Sequence, residues 1–141
     1  MPPRLSMGSI NALFASHHFV VPTILDKLSS EAVNRFVGQL RSLKKEYELD
    51  LEFAGVVGTM TRGANLSTTE SEIWGLIEEG AEVWRPGNDF RLGTVQRRAL
   101  IANAVGDDIA YLLPGPDGEI ARQIFDPVFE AICLQTGLIH K

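Results

Sequence analysis

Apolar and polar positions along this chain switch between two periods. Residues 19–23, Phe-Val-Val-Pro-Thr, form a short run without polar alternation. That pattern suits a strand covered on both faces, as in a parallel sheet. Pro22 cannot donate to a ladder, so it is expected to mark the strand's end. From Ser29 or Ser30 the period becomes helical. Val33, Phe36, Val37, Leu40 and Leu43 share one stripe, while Arg41, Lys44, Lys45, Glu46 and Glu48 lie on or near the other face. Residues 51–60, Leu-Glu-Phe-Ala-Gly-Val-Val-Gly-Thr-Met, read as the clearest strand, and a polar loop follows over 61–66.

Ser67-Thr68-Thr69-Glu70 has the form of a capping box. It predicts a helix to about Glu79, with Ile73, Leu76 and Ile77 facing inward. Residues 81–84 are a candidate short strand, stopped by Pro86-Gly87. Residues 94–105 read as helical, with Ala99, Leu100, Ala102 and Val105 apolar, and Gly106-Asp107-Asp108 breaks them. Residues 109–113 fit a strand or an extended turn ahead of a Pro-Gly-Pro-Asp-Gly loop over 114–118. The last helix is periodic in Ile120, Ile124, Phe125, Val128, Phe129 and Ile132. Pro127 interrupts it, either as the first turn of a second segment capped by Asp126 or as a kink. At the other end, residues 1–8 are loop-like, and Ser9 is expected to cap a short helix through Ala15. Helices alternating with strands in this order predict an α/β fold over residues 1–141. It is a single three-layer domain with a mostly parallel sheet of about four strands and covering helices.

Charge narrows the picture. The formal net charge of −5 argues against a surface built wholly for nucleic acid. Arg85, Arg91, Arg97 and Arg98 nevertheless give the third quarter a local positive bias. A solvated face is the plain reading of that bias, and contact with a DNA backbone is the functional one. A lone cysteine, Cys133 between Ile132 and Leu134, excludes an internal disulfide and reads as a buried thiol. No apolar run reaches the ~18 residues of a membrane span. The first residues do not form a convincing signal peptide, so a cytoplasmic protein without a membrane partner is expected.

Candidate chemistry is sparse. A phosphate-binding loop needs glycines that aim amides at the phosphates and a lysine that meets their charge. No such run occurs. Gly75 and Gly80 have the glycine spacing, but Ala81-Glu82 stand where Lys and Ser or Thr belong, and Leu-Ile-Glu-Glu between them reads as helix. His17-His18 point to opposite faces if they lie on a strand and would chelate poorly. Asp107-Asp108 after Gly106 read as a solvated turn. No nucleophile elbow is visible. No catalytic residue and no metal ligand is therefore assigned.

Taken in order, these segments resemble the C-terminal half of the ParA/MinD family of P-loop ATPases, the partition proteins of plasmids and chromosomes. Pro2-Pro3 is similar to the end of that family's Asp-x-Pro-Pro motif. Residues 10–16, Ile-Asn-Ala-Leu-Phe-Ala-Ser, resemble the helix that follows it, and residues 19–23 resemble its next strand. Residues 54–60, Ala-Gly-Val-Val-Gly-Thr-Met, resemble the strand that ParA proteins often end in Leu-Thr-Met. Asn65-Leu66-Ser67 matches the polar loop and cap after it. Residues 82–86, Glu-Val-Trp-Arg-Pro, are similar to the strand and Pro-containing loop before the family's Ala-rich helix.

The resemblance implies a partial P-loop NTPase fold. It also implies an adenine side built from Thr59, Met60, Arg62, Pro86 and Asn88. The family's phosphate loop, its signature lysine and the Asp before Pro-Pro would fall ahead of Met1, and His17 replaces the Asp that usually follows Ala-Ala. Phosphoryl transfer depends on that electrostatic cradle. The expectation is a truncated partition-type protein that is no enzyme by itself and needs no cofactor alone. It would act as a homo-oligomer or by engaging a full-length ATPase. One alternative is a portion of a working ATPase that uses ATP and Mg²⁺ once its other half is supplied. Another is an unrelated small α/β ligand-binding module.

Overall fold

The computed structural model describes residues 6–63, 65–87, 89–103 and 109–140. Along the chain come α1 (Met7–Phe14), β1 (His18–Ile24), α2 (Lys27–Tyr47), β2 (Glu52–Thr61), α3 (Thr68–Ala81), β3 (Arg91–Gln96), α4 (Ala99–Asn103), a 3-10 turn (Ala110–Leu112) and α5 (Gly115–Gln135). The sheet is parallel throughout, in the order β1-β2-β3. Three strands, against the expected four or so, are present among the described residues.

Two apolar layers sandwich the sheet. On one face α2 and α3 bring Val33, Val37, Ile73, Trp74 and Ile77 onto Phe53 and Val56. On the other, Val128 of α5 packs on Val57 and Leu92, with Val20, Val95 and Ile132 at the margin. Val56 and Val57 are neighbours in sequence and face opposite layers, as the two-residue period of a strand requires. The α/β, three-layer architecture is the expected one.

Both long helices start on side-chain caps. The Asp26 carboxylate accepts from the Ser29 amide at 2.7 Å, so α2 begins at Lys27, ahead of the expected Ser29 or Ser30. Ser30 lies inside it and is buried. Ser67 and Glu70 form the full capping box of α3. For α1 the cap is Ser6, three residues before the expected Ser9.

Pro22 does not end its strand. The Glu52 amide donates to the His17 carbonyl at 2.8 Å. In a parallel ladder, residues facing a given neighbour alternate, so His17, Phe19, Val21 and Thr23 face β2. The bulge between Phe19 and Val20 places its extra residue in β2, which leaves the alternation along β1 intact. Pro22 therefore turns its donor-less nitrogen away from β2, and its absent N–H costs this ladder nothing.

Further corrections fall after α3. Leu76 is 44% exposed, and its inward place belongs to Trp74, which is 3% exposed. Residues 81–84 are not a strand. The helix runs through Ala81, then turns as the Trp84 amide donates to the Ala81 carbonyl at 3.0 Å. Trp84 instead points into an aromatic cluster with Phe19 and Phe53, where Phe53 also stacks on Phe90. The third strand lies later, at Arg91–Gln96, so Thr94 to Gln96 are extended and the expected helix is reduced to Ala99–Asn103. Val105 and the Gly106-Asp107-Asp108 break lie outside the described residues, as do Pro2-Pro3. Residues 110–112 form a 3-10 turn in place of a strand. The expected 114–118 loop is the first turn of α5, with Pro116 where an unpaired N–H would otherwise stand. Pro127 sits inside α5, which continues past it to Gln135.

Glu52 ties the amino end of the sheet together. Its carboxylate takes the Lys44 ammonium at 2.6 Å, the Trp84 indole N–H at 3.2 Å and the Arg85 guanidinium at 3.1 Å. The Lys44 hydrogen bond leads, and with Trp84 and Arg85 it outweighs burial and holds the Glu52 carboxyl below its ordinary value of 4.5. A folded-state pKa below the unfolded one adds stability above the unfolded value, and that stability is lost as pH falls through the folded value. Melting temperatures recorded from neutral pH down to below 4.5 should fall more steeply for the native chain than for Glu52→Gln. Parallel curves would show that the cluster contributes nothing. The side chain is 37% exposed, so the effect is modest.

Candidate functional site at the carboxyl ends of the strands

Parallel strands that feed helices leave a crevice at their carboxyl ends, the usual place for a ligand in an open α/β sheet. Here β1 ends at Ile24 and passes directly into the Asp26 cap of α2, while β2 ends at Thr61 and passes through a short loop into the Ser67 cap of α3. Between them lies a crevice of about 460 Å³. Its apolar lining is Ile24, Leu25, Met60 and Ile73, and Asp26, Lys27, Arg62, Ser67, Thr69 and Glu70 supply the polar part.

The loop geometry here is held by hydrogen bonds. Glu70 is buried, and its carboxylate accepts from the Ser67 amide at 3.1 Å. That amide, with added help from the Ser67 hydroxyl and from Arg62, holds the Glu70 carboxyl below its ordinary range. The two acidic groups of the crevice, Asp26 and Glu70, are thus committed to helix caps. Lys27 and Arg62 enter no salt bridge among the described residues. Met60 adopts a left-handed backbone, φ 56°, and is 53% exposed. That conformation is uncommon for a residue with a side chain. It coincides with the register shift between Thr59 and Thr61 against β3.

A second hollow, about 260 Å³, opens on the α5 face beside the end of β3. Gly63, Gly93, Thr94, Gln96, Gln123 and Pro127 contribute to it. Pro127 has no N–H to offer the carbonyl one turn back, so the Gln123 carbonyl lacks its helical donor.

The structure brings Met60 and Arg62 into one crevice, with half-buried Thr59 just behind them in β2. It holds Pro86 elsewhere. The adjacent Arg85 is bound to Glu52 at the first residue of β2, eight residues from Met60, or roughly 26 Å of strand. Asn88 lies outside the described residues. The strand that leads into the helix after α3 is β3, not residues 82–86, and it ends at Gln96, just ahead of Arg97-Arg98. The Arg97 amide donates to the Thr61 carbonyl at 2.9 Å, which sets this segment beside the end of β2. The four arginines separate accordingly. Arg85 pairs with Glu52, and Arg91 with Glu78 and Asp89. Arg97 and Arg98 are exposed, at the same end of the sheet as Arg62.

Asp26, Lys27, Gln96 and Gln123 are additions to the expected residues. The Asp-x-x-Ser spacing of a cap marks Asp26 in the sequence. Only the true position of β3 brings in Gln96, and only the packing of α5 brings in Gln123. Gly75 and Gly80 lie inside α3, so their spacing is that of a helix and not of a phosphate loop. No group of three metal-ligating side chains occurs among the described residues. No described helix is long and apolar enough to cross a membrane.

The architecture is similar to part of a ParA-like P-loop NTPase fold. The ATP complex of a variant of McdA from Cyanothece superposes on this chain with a TM-score of 0.70 at 16% identity, covering 94% of this chain and 48% of that one. The chain thus spans about half the length of the McdA chain it matches. No protein-family model matches the sequence, and no curated protein does.

Proposed function

We propose that this chain is a ParA-like, partition-type module of the cytoplasm that works by association and does not hold a nucleotide's phosphates by itself. One observation carries this reading. The ParA-like fold matches over 94% of the chain, yet none of the 141 residues forms the Gly-x-x-x-x-Gly-Lys run that would cradle phosphates. What the module offers instead is the carboxyl end of its sheet, to a full-length ATPase or to another copy.

A second reading is favoured by the crevice. Met60 and Arg62 meet in one crevice at the strand ends, so they can serve the adenine side of an ATP-Mg²⁺ site whose phosphate loop another polypeptide segment supplies. Arg62, Arg97 and Arg98 on that side are also the cations best placed for a nucleic-acid backbone, since Arg85 and Arg91 are spent on ion pairs.

Calorimetry with ATP and ADP in the presence of Mg²⁺ separates the two readings. The association module predicts no heat with the purified chain at millimolar nucleotide. Saturable binding by the chain alone would overturn it. Loss of that binding in Met60→Ala and Arg62→Ala would then assign the nucleotide to the crevice.

A further inference from the structure

The two acids of the crevice at the strand ends serve their helix caps differently. Asp26 takes the amide of Ser29. Glu70 is buried, and its Oε1 takes the amide of Ser67 at 3.1 Å. The backbone amide of Arg62, at the other end of the same loop, faces this carboxylate too and, like the Ser67 amide, favours its charged form. One side chain thus ties the first residue after β2 to the residue that caps α3.

Both flanks of the loop are anchored without Glu70. Thr61 is buried, and its carbonyl takes the Arg97 amide at 2.9 Å. α3 is held by Ile73, Trp74 and Ile77 in the core. Between these anchors the Thr61 hydroxyl reaches the Gly63 carbonyl only at 3.4 Å, a long distance for such a bond. The shape of the segment that carries Arg62 into the crevice, next to the left-handed Met60, therefore leans on Glu70.

A cap and a tie differ in what they require of the side chain. A cap needs one acceptor, so glutamine serves in a capping box as glutamate does. A carboxylate offers acceptors on both oxygens, whereas glutamine or a protonated carboxyl replaces one of them with a donor. The amino end of α3 favours negative charge at this place. The other charged groups around it are Asp26 and Lys27 of α2 and Arg62 itself, with Arg97 and Arg98 beyond β3 at the same end of the sheet.

We propose that Glu70 is a charge-dependent latch: while ionised it holds Arg62 and Met60 in the geometry of the crevice, and on losing its charge it frees the Arg62 end of the loop but keeps the cap of α3. This deepens the crevice reading above and rests on it for its functional meaning, but its test needs no nucleotide.

Solvent-exchange and methyl NMR on the whole chain read the latch directly. In Glu70→Gln the Arg62 amide should exchange at least about tenfold faster, as loss of a hydrogen bond to a charged group requires. The Met60 methyl signal should shift, while the Ser67 and Ile77 amides keep their native rates. In the native chain the latch is complete above the ordinary carboxyl value of 4.5 and is lost as pH falls through the lower folded value. The Met60 signal should move over that range, and should still do so in Asp26→Asn. Native Arg62 exchange and an unshifted Met60 signal in Glu70→Gln would overturn the proposal and leave Glu70 a helix cap. If that variant misfolds, a Met60 signal that stays still on acidification would overturn it, and so would a movement that Asp26→Asn abolishes. None of these results bears on nucleotide binding, so the crevice reading stands or falls by calorimetry.

Discussion

Trp74→Ala is expected to lower the unfolding free energy by about 3–5 kcal/mol, the range for deleting a large buried aromatic. Trp74 is 3% exposed and belongs to the cluster that joins α2 and α3 to the sheet. Its ring lies directly on the backbone of Gly58, where an added Cβ would stand 2.4 Å from the ring's Cζ3. The indole N–H has no partner among the described residues, and an unsatisfied buried donor costs about 1–3 kcal/mol. Trp74→Phe should therefore cost much less than the alanine change, because it discards that donor and keeps most of the apolar volume. Urea titrations followed by circular dichroism would measure both. An alanine variant within about 1 kcal/mol of the native chain would mean that the α3 layer does not pack on β2 as described.

Gly55→Ala should be of comparable severity. Gly55 lies at the bulge of β2 and has φ 148°, a conformation that L side chains rarely adopt. An added Cβ would come within 2.6 Å of the Phe90 carbonyl oxygen and 2.7 Å of Leu92 Cγ. The first is backbone and cannot swing aside. Backbone strain of about 1–3 kcal/mol and overpacking of about 1–3 kcal/mol act at the same residue. The combined loss should appear as a lowered urea midpoint. Gly75→Ala is the control. Gly75 lies inside α3 with nothing within 4 Å of its added Cβ, so alanine there should be neutral or stabilise by about 0.5–1 kcal/mol. If Gly55→Ala behaved like Gly75→Ala, the contact of β2 with the start of β3 would be wrong.

These residues also show where pattern alone stops. Val33, Val37 and Leu40 lie on one stripe in the sequence and are buried together in α2. Helical spacing suffices for them, because burial of an amphipathic face needs only a partner layer and not a particular one. The Ser67–Glu70 box was equally legible, since a cap is a local bond over three residues. β3 was not. Arg-Leu-Gly-Thr-Val-Gln is short and contains a glycine, and it becomes a strand because β2 offers a ladder and Gly93 lets the backbone approach Val128, whose Cγ2 would stand 2.9 Å from an added Cβ. Trp84 looked like part of a strand for the opposite reason. It is apolar to fill an aromatic cluster, not to alternate. The site divides in the same way. Met60 and Arg62 follow from their place at the end of an evident strand, whereas Pro86 lies at the other end of the sheet, because the third strand is Arg91–Gln96 and not residues 82–86.

The sequence by itself determined the first two strands and the helices that follow them, the apolar face of α2, the cap of α3, and the lack of a phosphate-cradling run in these residues, whereas α5 buries Ala121, Val128 and Cys133 and leaves Phe129 67% exposed. All of these depend on neighbours a few positions apart, where propensity and periodicity act. Tertiary structure alone decided which segment became the third strand and which residues meet at the carboxyl ends. It also decided that Pro22 turns its nitrogen away from β2. Those outcomes depend on hydrogen bonds and packing between segments far apart in the chain, and no local pattern encodes the direction in which a peptide group points until its neighbouring strand is in place.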